Sequence, residues 1–179
     1  MSPSKRNNEF ANSGIVVEIN SNKDLHKYEH FGVLKGLEYQ KDFERLAFTA
    51  GGRNQTAPAQ RLTDFVEGHL SSYLNPTSYQ PGLKSAPLHS LFPKAIGGRL
   101  RQGFKAFGEK MKGYYTTEAN IIGVESRTSS PVNIPRNNNL EHPEIKGFFP
   151  CGEGGGYAGG IISAAMDGER CAEAATKGL

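Results

Sequence analysis

A single acidic residue lies inside a run of glycines near the end of the chain. The stretch CGEGGGYAGG places Glu153 between Gly152 and Gly154, and six glycines fall within residues 152–160. Glycine permits positive φ and lets a ligand approach the main chain where a Cβ would block it. A carboxylate buried among these glycines would accept hydrogen bonds from vicinal hydroxyls and would repel a phosphate. The pattern therefore predicts a backbone-lined site for a polyol.

Two phosphate-binding motifs do not describe this run. No Lys-Ser or Lys-Thr pair follows it, as a Walker-type loop requires. Only 19 residues remain after Gly160, whereas the dinucleotide fingerprint opens a βαβ unit whose acidic residue lies about 20 positions on. A flexible glycine loop beside a helix that merely packs remains the alternative interpretation.

The elements around the glycine run would position it. FFPC reads as a short strand before the turn, and residues 161–178 predict a closing helix. The helix would point its N-terminus and its backbone N–H groups at the ligand. Its apolar residues predict close packing against a sheet: Ile161, Ile162, Ala165, Met166 and Ala172. Cys151 is expected to pack under the turn, although a redox role beside a ligand is the alternative, and Cys171 is expected in the core.

A second polar segment precedes the glycine run. Residues 120–125 and 131–135 read as two strands joined by the turn ESRTSS. Every side chain of that turn can donate or accept a hydrogen bond. A ligand-facing turn and a solvent-exposed hairpin loop fit this composition equally well.

The rest of the chain predicts a mixture of helices and strands. GIVVEIN at residue 15 predicts a buried strand, and 36–50 predict a helix that ends at the Gly51-Gly52 pair. Residues 55–72 fit either one helical face or a strand after a loop, because Pro58 precedes a short apolar run. Four prolines make 74–93 a long connection with at most a turn of helix.

A basic amphipathic helix is predicted over 94–112. Its apolar residues recur at steps of three and four, and six Lys and Arg residues against one Glu give a local charge of +5. An anion or membrane surface is one interpretation of that charge. A solvated outer face of a packed helix is the favoured one, since four glycines weaken a free-standing helix.

Composition limits the function classes. A chain of 179 residues with 36% hydrophobic content holds one domain or two small lobes around a modest core. The net charge of +3 is too small to indicate nucleic acid. Two cysteines form no disulfide framework and no metal-ligand cluster, and no apolar run is long enough for a membrane span. We expect a reducing, cytoplasmic setting with no metal, nucleic-acid or membrane partner.

Three separated motifs together resemble one known family. Along the chain they are ANSGIVVEI, GVESRTSSPVNIPR and GFFPCGEGGGYAGGIISAAMDGERCAEA. The C-terminal part of bacterial FAD-dependent dehydrogenases carries similar motifs in the same order. These enzymes are related to the two-dinucleotide-binding-domain flavoproteins, and the resemblance covers nearly the whole chain. It implies an α+β fold that is a C-terminal fragment of an FAD/NAD(P)-binding flavoprotein, with a partly helical second lobe. Residues 1–20 and 116–179 would belong to the FAD-binding domain, and 21–115 would cap the substrate side.

The resemblance also implies which residues meet the cofactor. Gly152 and Glu153 would lie at the ribityl chain and pyrophosphate, with Gly154, Gly155 and Gly156 forming the turn. Backbone N–H groups near the flavin N1 and C2 carbonyl would come from Tyr157, Ala158, Gly159, Gly160 and Ile161. The residues that would lie beside the isoalloxazine ring are Arg127, Thr128, Ser129 and Ser130. No residue is assigned a catalytic role, and the five histidines are expected at the surface.

The family's N-terminal GxGxxG, which binds the ADP half of FAD, has no counterpart ahead of the late glycine run, where the pattern occurs once, at residues 154–159. The expected function is therefore the ribityl and flavin end of an FAD site in a longer oxidoreductase. Alone, the chain is expected to hold FAD weakly or not at all and to be inactive. Its expected partners are the missing N-terminal FAD-binding half and a small-molecule substrate, with self-association also foreseen. The alternative function is a non-catalytic, stand-alone binding or interaction module.

Overall fold

The computed structural model describes Lys5 and residues 7–177 as an α+β protein. A 3₁₀-helix at His26–Leu34 precedes the first α-helix. The α-helices in this part of the chain are α1 Lys35–Gly51, α2 Leu62–Glu67, α3 Leu88–Leu91, α4 Lys94–Lys110 and α5 Ile161–Thr176, and the strands are β1 Ala57–Arg61, β2 Leu83–Ser85 and β3 Asn120–Ile122. None of these helices is both long and apolar enough to cross a bilayer.

The chain divides into two compact units. Unit 1 holds the described residues up to Asp24 together with Lys41–Glu125, and unit 2 holds Leu25–Gln40 together with the described residues from Ser126 onward. Helix α1 contributes residues to both units. The predicted boundaries at residues 20 and 116 concern cofactor-binding roles and remain a prediction.

A small mixed sheet with β1 at its centre organises unit 1. The strand order is β2-β1-β3, with β2 parallel and β3 antiparallel to β1. Ala59 faces Ser85 on one side and Ile122 on the other. Burial of β1 explains the ambiguous pattern at 55–72, because its first four residues are buried and a short helix follows directly. Both predicted alternatives therefore occur there, one after the other.

The core of unit 1 forms where α2, α3 and α4 meet. Phe65 is fully buried, and its ring makes edge-on contacts with Phe92 and Phe104 at 5.9 and 6.0 Å. The predicted apolar face of the basic helix is confirmed, since α4 buries Ile96, Leu100 and Phe104. The helix predicted at 36–50 is also confirmed, as α1.

The strand predicted at GIVVEIN is absent. Residues 15, 17 and 19 are half-buried and pack against the core of unit 1, while the residues between them are exposed. The alternating side-chain pattern is therefore present, but the backbone belongs to none of the described strands. Alternation records which side chains are buried and does not reveal whether a partner strand is there to pair with.

Two further predicted strands are absent, and one strand was not predicted. Residues 131–135 and 148–151 form no strand, so β3 is the remaining part of the predicted hairpin. Pro131 and Pro135 lack the N–H groups that a ladder needs. The connection 74–93 contains the unpredicted strand β2, three residues long, beside the expected single helical turn α3.

Helix α5 in unit 2 buries a different face from the predicted one. Ile161 is 90% exposed, Ile162 is 73% exposed and Met166 is 49% exposed. The buried residues of this helix are instead Asp167 and Cys171. The prediction that its apolar residues pack inside this chain was wrong, because an ion pair rather than an apolar contact holds the opposite face.

Candidate functional site

The glycine run forms a compact turn directly before α5. The N–H of Gly156 donates to the Glu153 carbonyl at 2.9 Å, and the N–H of Tyr157 donates to the Gly152 carbonyl at 3.0 Å. Gly152 and Gly156 have φ angles of 65° and 83°, a region that L side chains rarely adopt. The sequence folds this way because glycine carries no penalty there.

The glycines of the turn fall into two groups, those that the fold requires and those that it does not. A Cβ at Gly156 would lie 2.6 Å from the Val132 carbonyl oxygen, and one at Gly155 would lie 3.0 Å from the Cys151 nitrogen. The fold therefore requires these two glycines. Gly154 and Gly159 have neither a positive φ nor a close neighbour, since a Cβ would meet nothing within 4 Å at Gly154 and a single atom at 3.7 Å at Gly159. No local reason explains glycine at either position.

An ion pair fixes the turn to α5. The Arg136 guanidinium donates to both carboxylate oxygens of Asp167, at 2.7 and 3.0 Å, and the two side chains are 13% and 10% exposed. The same carboxylate accepts the N–H of Gly152 at 2.9 Å, and Arg136 also donates to the Pro150 carbonyl at 2.9 Å. These four residues form what we call the turn clamp.

The turn clamp is electrostatically matched. The Arg136 guanidinium and the Gly152 N–H hold the pKa of Asp167 below the ordinary aspartate range, while the Asp167 carboxylate raises the pKa of Arg136. The guanidinium also lies 3.6 Å from the centre of the Tyr157 ring, whose hydroxyl donates to the Ile134 carbonyl at 2.7 Å. The clamp thus holds both ends of the turn.

Several hydrogen-bonding groups of the turn face no partner within residues 7–177. The N–H groups of Ala158, Gly159, Ile161 and Ile162 make no hydrogen bond there, and neither does the Glu153 carboxylate. Glu153 is exposed, which corrects the expectation that this acid is buried. Because the donors lie at the N-terminus of α5, the helix dipole favours partial negative charge near them.

The four residues predicted to lie beside the flavin ring, 127–130 in the ESRTSS segment, have different surroundings in the structure. The carbonyl oxygen of Thr128 is 3.7 Å from the Cβ position of Gly159, so this residue lies beside the turn. The Ser130 hydroxyl donates to the Val132 carbonyl at 2.7 Å and is used locally. Arg127, Thr128 and Ser129 are exposed. The adjoining residues 132–134 pack along the turn, where the N–H of Ile134 donates to the Gly155 carbonyl.

The cysteines differ in environment. Cys171 is 3% exposed, as predicted, and burial raises the pKa of its thiol. Cys151 is exposed, so the expectation that it packs under the turn was wrong. Sequence analysis also missed Arg136 and Asp167. A lone arginine and a lone aspartate 31 positions apart carry no local signal of pairing.

Comparisons with known proteins place these features in context. Residues 1–128 match the family model described as FAD-dependent protein, C-terminal domain-like. Over 175 residues the chain is 40% identical to a protein of Clostridium beijerinckii named only as an uncharacterized protein. That alignment covers 97% of this chain and 32% of the relative, so the chain spans about a third of the relative's length. The family match ends before the glycine turn, whereas the alignment with the relative covers nearly the whole chain.

Proposed function

The chain belongs to the family of FAD-dependent proteins, C-terminal domain-like, and we propose that it supplies the ribityl and flavin end of an FAD site in a longer oxidoreductase. The observation that carries the proposal is the glycine pair Gly154 and Gly159. Neither φ nor crowding demands glycine at these positions. Close approach of a ligand to the main chain is a physical reason for omitting a side chain there, and the two open glycines support the proposal in this way.

The residues of the turn fit this cofactor by their chemistry. Glu153 offers an exposed carboxylate without a partner in the described chain, and such a group accepts hydrogen bonds from the vicinal hydroxyls of a ribityl chain. The N–H groups of Ile161 and Ile162 would donate to electron-rich atoms of the flavin's pyrimidine edge. FAD, when bound, supplies a ring system that accepts a hydride and passes on its electrons.

The chain's own contribution is positioning and electrostatics. The turn clamp fixes Gly152 against α5, so that the donors at the helix N-terminus stay aligned without a ligand. Aligned donors need no rearrangement when negative charge develops near them, which makes them effective. The Thr128–Ser130 segment would lie at the side of the ring, because Thr128 already borders Gly159.

The exposed face of α5 supports the proposed protein partner. Ile161, Ile162 and Met166 present an apolar surface on the helix that follows the cofactor turn. In the proposal, the N-terminal FAD-binding half covers this surface and supplies the ADP-binding contacts that this chain lacks. Isolated chains would then associate through the same surface, and a stand-alone interaction module would use it for another protein.

The test uses the Clostridium beijerinckii relative as a host. Its matching segment is replaced by this chain, and the purified chimera is scored for bound FAD by flavin absorbance per protein. We expect the chimera to hold FAD, Glu153→Ala to lower its FAD content, and the isolated chain to be colourless. Glu144→Ala is the matched control, because Glu144 is an exposed acid in the same unit outside the turn.

Two results would contradict the proposal. Unchanged FAD content in the Glu153→Ala chimera would remove the ribityl assignment. A folded chimera without FAD, made from a relative that does hold FAD, would remove the site itself. Flavin absorbance in the isolated chain would show that the ADP-binding half is not needed for retention.

A further inference from the structure

The segment at residues 14–19 has the side-chain pattern of a strand but no paired backbone. Ile15, Val17 and Ile19 are half-buried against the core of unit 1, while the residues between them are exposed. Such alternation, with β-branched residues on the buried face, is typical of a strand that lies on a core. The backbone groups of this segment make no backbone–backbone hydrogen bond to any residue that the structure describes. We call this stretch the unpaired segment.

The two edges of the unpaired segment differ. In an extended strand, both backbone groups of one residue point to one edge, and those of the next residue point to the opposite edge. The Glu18 carbonyl accepts a hydrogen bond from the Arg99 guanidinium at 2.9 Å, so a side chain of α4 covers part of the edge formed by the even-numbered residues. The opposite edge carries the N–H and C=O groups of Ile15, Val17 and Ile19, which have no hydrogen-bond partner in the described part of the chain. We call it the open edge.

The surroundings of the open edge indicate which element would fit it. The side chains of Ile15, Val17 and Ile19 are only half-buried, so apolar side chains of a neighbouring strand would cover their remaining surface. The sheet of unit 1 is small, with strands of five, three and three residues, and the unpaired segment belongs to none of them. A row of unpaired backbone groups is a ready template for a further strand. The partner that fits is therefore a strand with one apolar face.

The length of the relative indicates where that strand comes from. This chain aligns with about a third of the Clostridium beijerinckii protein, so most of that protein lies outside the aligned segment. A strand of the same polypeptide pairs at a high effective concentration, roughly millimolar for short flexible linkers, whereas a second copy must be recruited from solution.

We propose that the open edge pairs with a β-strand from the N-terminal half of the longer protein. This inference rests on the proposed function, because that proposal supplies the N-terminal half. It concerns unit 1, however, and it needs no bound FAD. The longer protein would thus hold this chain by main-chain hydrogen bonds as well as by the apolar face of α5.

The experiment measures residue-resolved amide hydrogen exchange in the chimera described above, loaded with FAD and stripped of it, and in the isolated chain. We expect the N–H groups of Ile15, Val17 and Ile19 to exchange at least about a hundredfold more slowly in the chimera than in the isolated chain. Those of Val16 and Glu18 point away from the partner strand and are the internal control, with equal rates in both proteins. Protection in a chimera that holds no FAD would support this inference while the FAD proposal fails, so the two are distinguishable.

A matched pair of variants tests the hydrogen bonds themselves. Val17→Pro removes an N–H group from the open edge, whereas Val16→Pro removes one from the opposite edge. In the chimera, Val17→Pro should lower the midpoint of urea unfolding more than Val16→Pro does. The same comparison in the isolated chain measures the effect of losing each valine side chain, and the excess loss should be specific to the chimera.

Three results would overturn the proposal. The first is fast exchange at the open edge in a folded chimera. The second is slow exchange there already in the isolated chain; a concentration-dependent elution in size exclusion would then identify a second copy as the partner. The third is a difference between Val17→Pro and Val16→Pro that is the same in both proteins. If the chimera does not fold, the three positions aligned with the open edge are measured in the Clostridium beijerinckii protein itself, where the same protection is expected.

Discussion

Removing the negative charge of the turn clamp should destabilise unit 2. In Asp167→Asn the amide keeps one acceptor oxygen but loses the second charged contact to Arg136 and weakens the bond from Gly152. Hydrogen bonds to charged groups contribute roughly 1.5–3 kcal/mol each, and both side chains are at least 87% buried, so solvent screens them little. We expect a loss of about 3 kcal/mol in the free energy of unfolding.

The dependence on pH follows from the direction of the Asp167 pKa shift. The folded-state pKa is lowered, so the stabilisation is fully present above the unfolded pKa, which is about 3.9, and is lost as the pH falls through the folded value. The difference between the wild type and Asp167→Asn should therefore shrink in acid. Glu169→Gln is the control, since it removes an exposed charge from the same helix.

The assay is urea unfolding followed by far-UV circular dichroism, with thiol labelling of Cys171 as a local readout. Cys171 lies 3.4 Å from the Arg136 guanidinium, so release of the clamp should expose its thiol. Two results would refute the reasoning: an unfolding midpoint for Asp167→Asn equal to that of Glu169→Gln, or a wild-type to Asp167→Asn difference that persists in strong acid.

Three further outcomes are expected. Gly156→Ala should cost more than about 2 kcal/mol of stability, because of its positive φ and its close carbonyl neighbour, whereas Gly154→Ala should cost less than about 1 kcal/mol; thermal melts compare the two. Phe65→Ala should cost about 3–5 kcal/mol in urea unfolding, since the ring is fully buried among aromatic neighbours; a loss below about 1 kcal/mol would mean that the core closes over the gap. In the native wild type, iodoacetamide should modify the exposed Cys151 well before the buried Cys171, as peptide mapping would record; equal rates would contradict the burial of Cys171.

The helices were predictable because each depends on a local repeat. Helices α1 and α4 follow apolar residues three and four positions apart, and the buried residues of α4 lie on its predicted face. The strands were less predictable, since β2 is only three residues long and exists because β1 lies parallel to it. Pairing between distant segments leaves little trace in either segment alone.

Some features of the candidate FAD site were likewise predictable from the sequence, and others were not. The sequence alone determined the glycine turn, the helix after it and the acid within it, because these depend on neighbouring residues and on backbone freedom. Tertiary structure decided that Glu153 is exposed, that α5 turns its apolar face outward, and that Arg136 and Asp167 hold the turn. It also separated the glycines that the fold requires from Gly154 and Gly159, which it does not. Such distinctions depend on atoms brought together from distant positions, and no local pattern of residues encodes those distances.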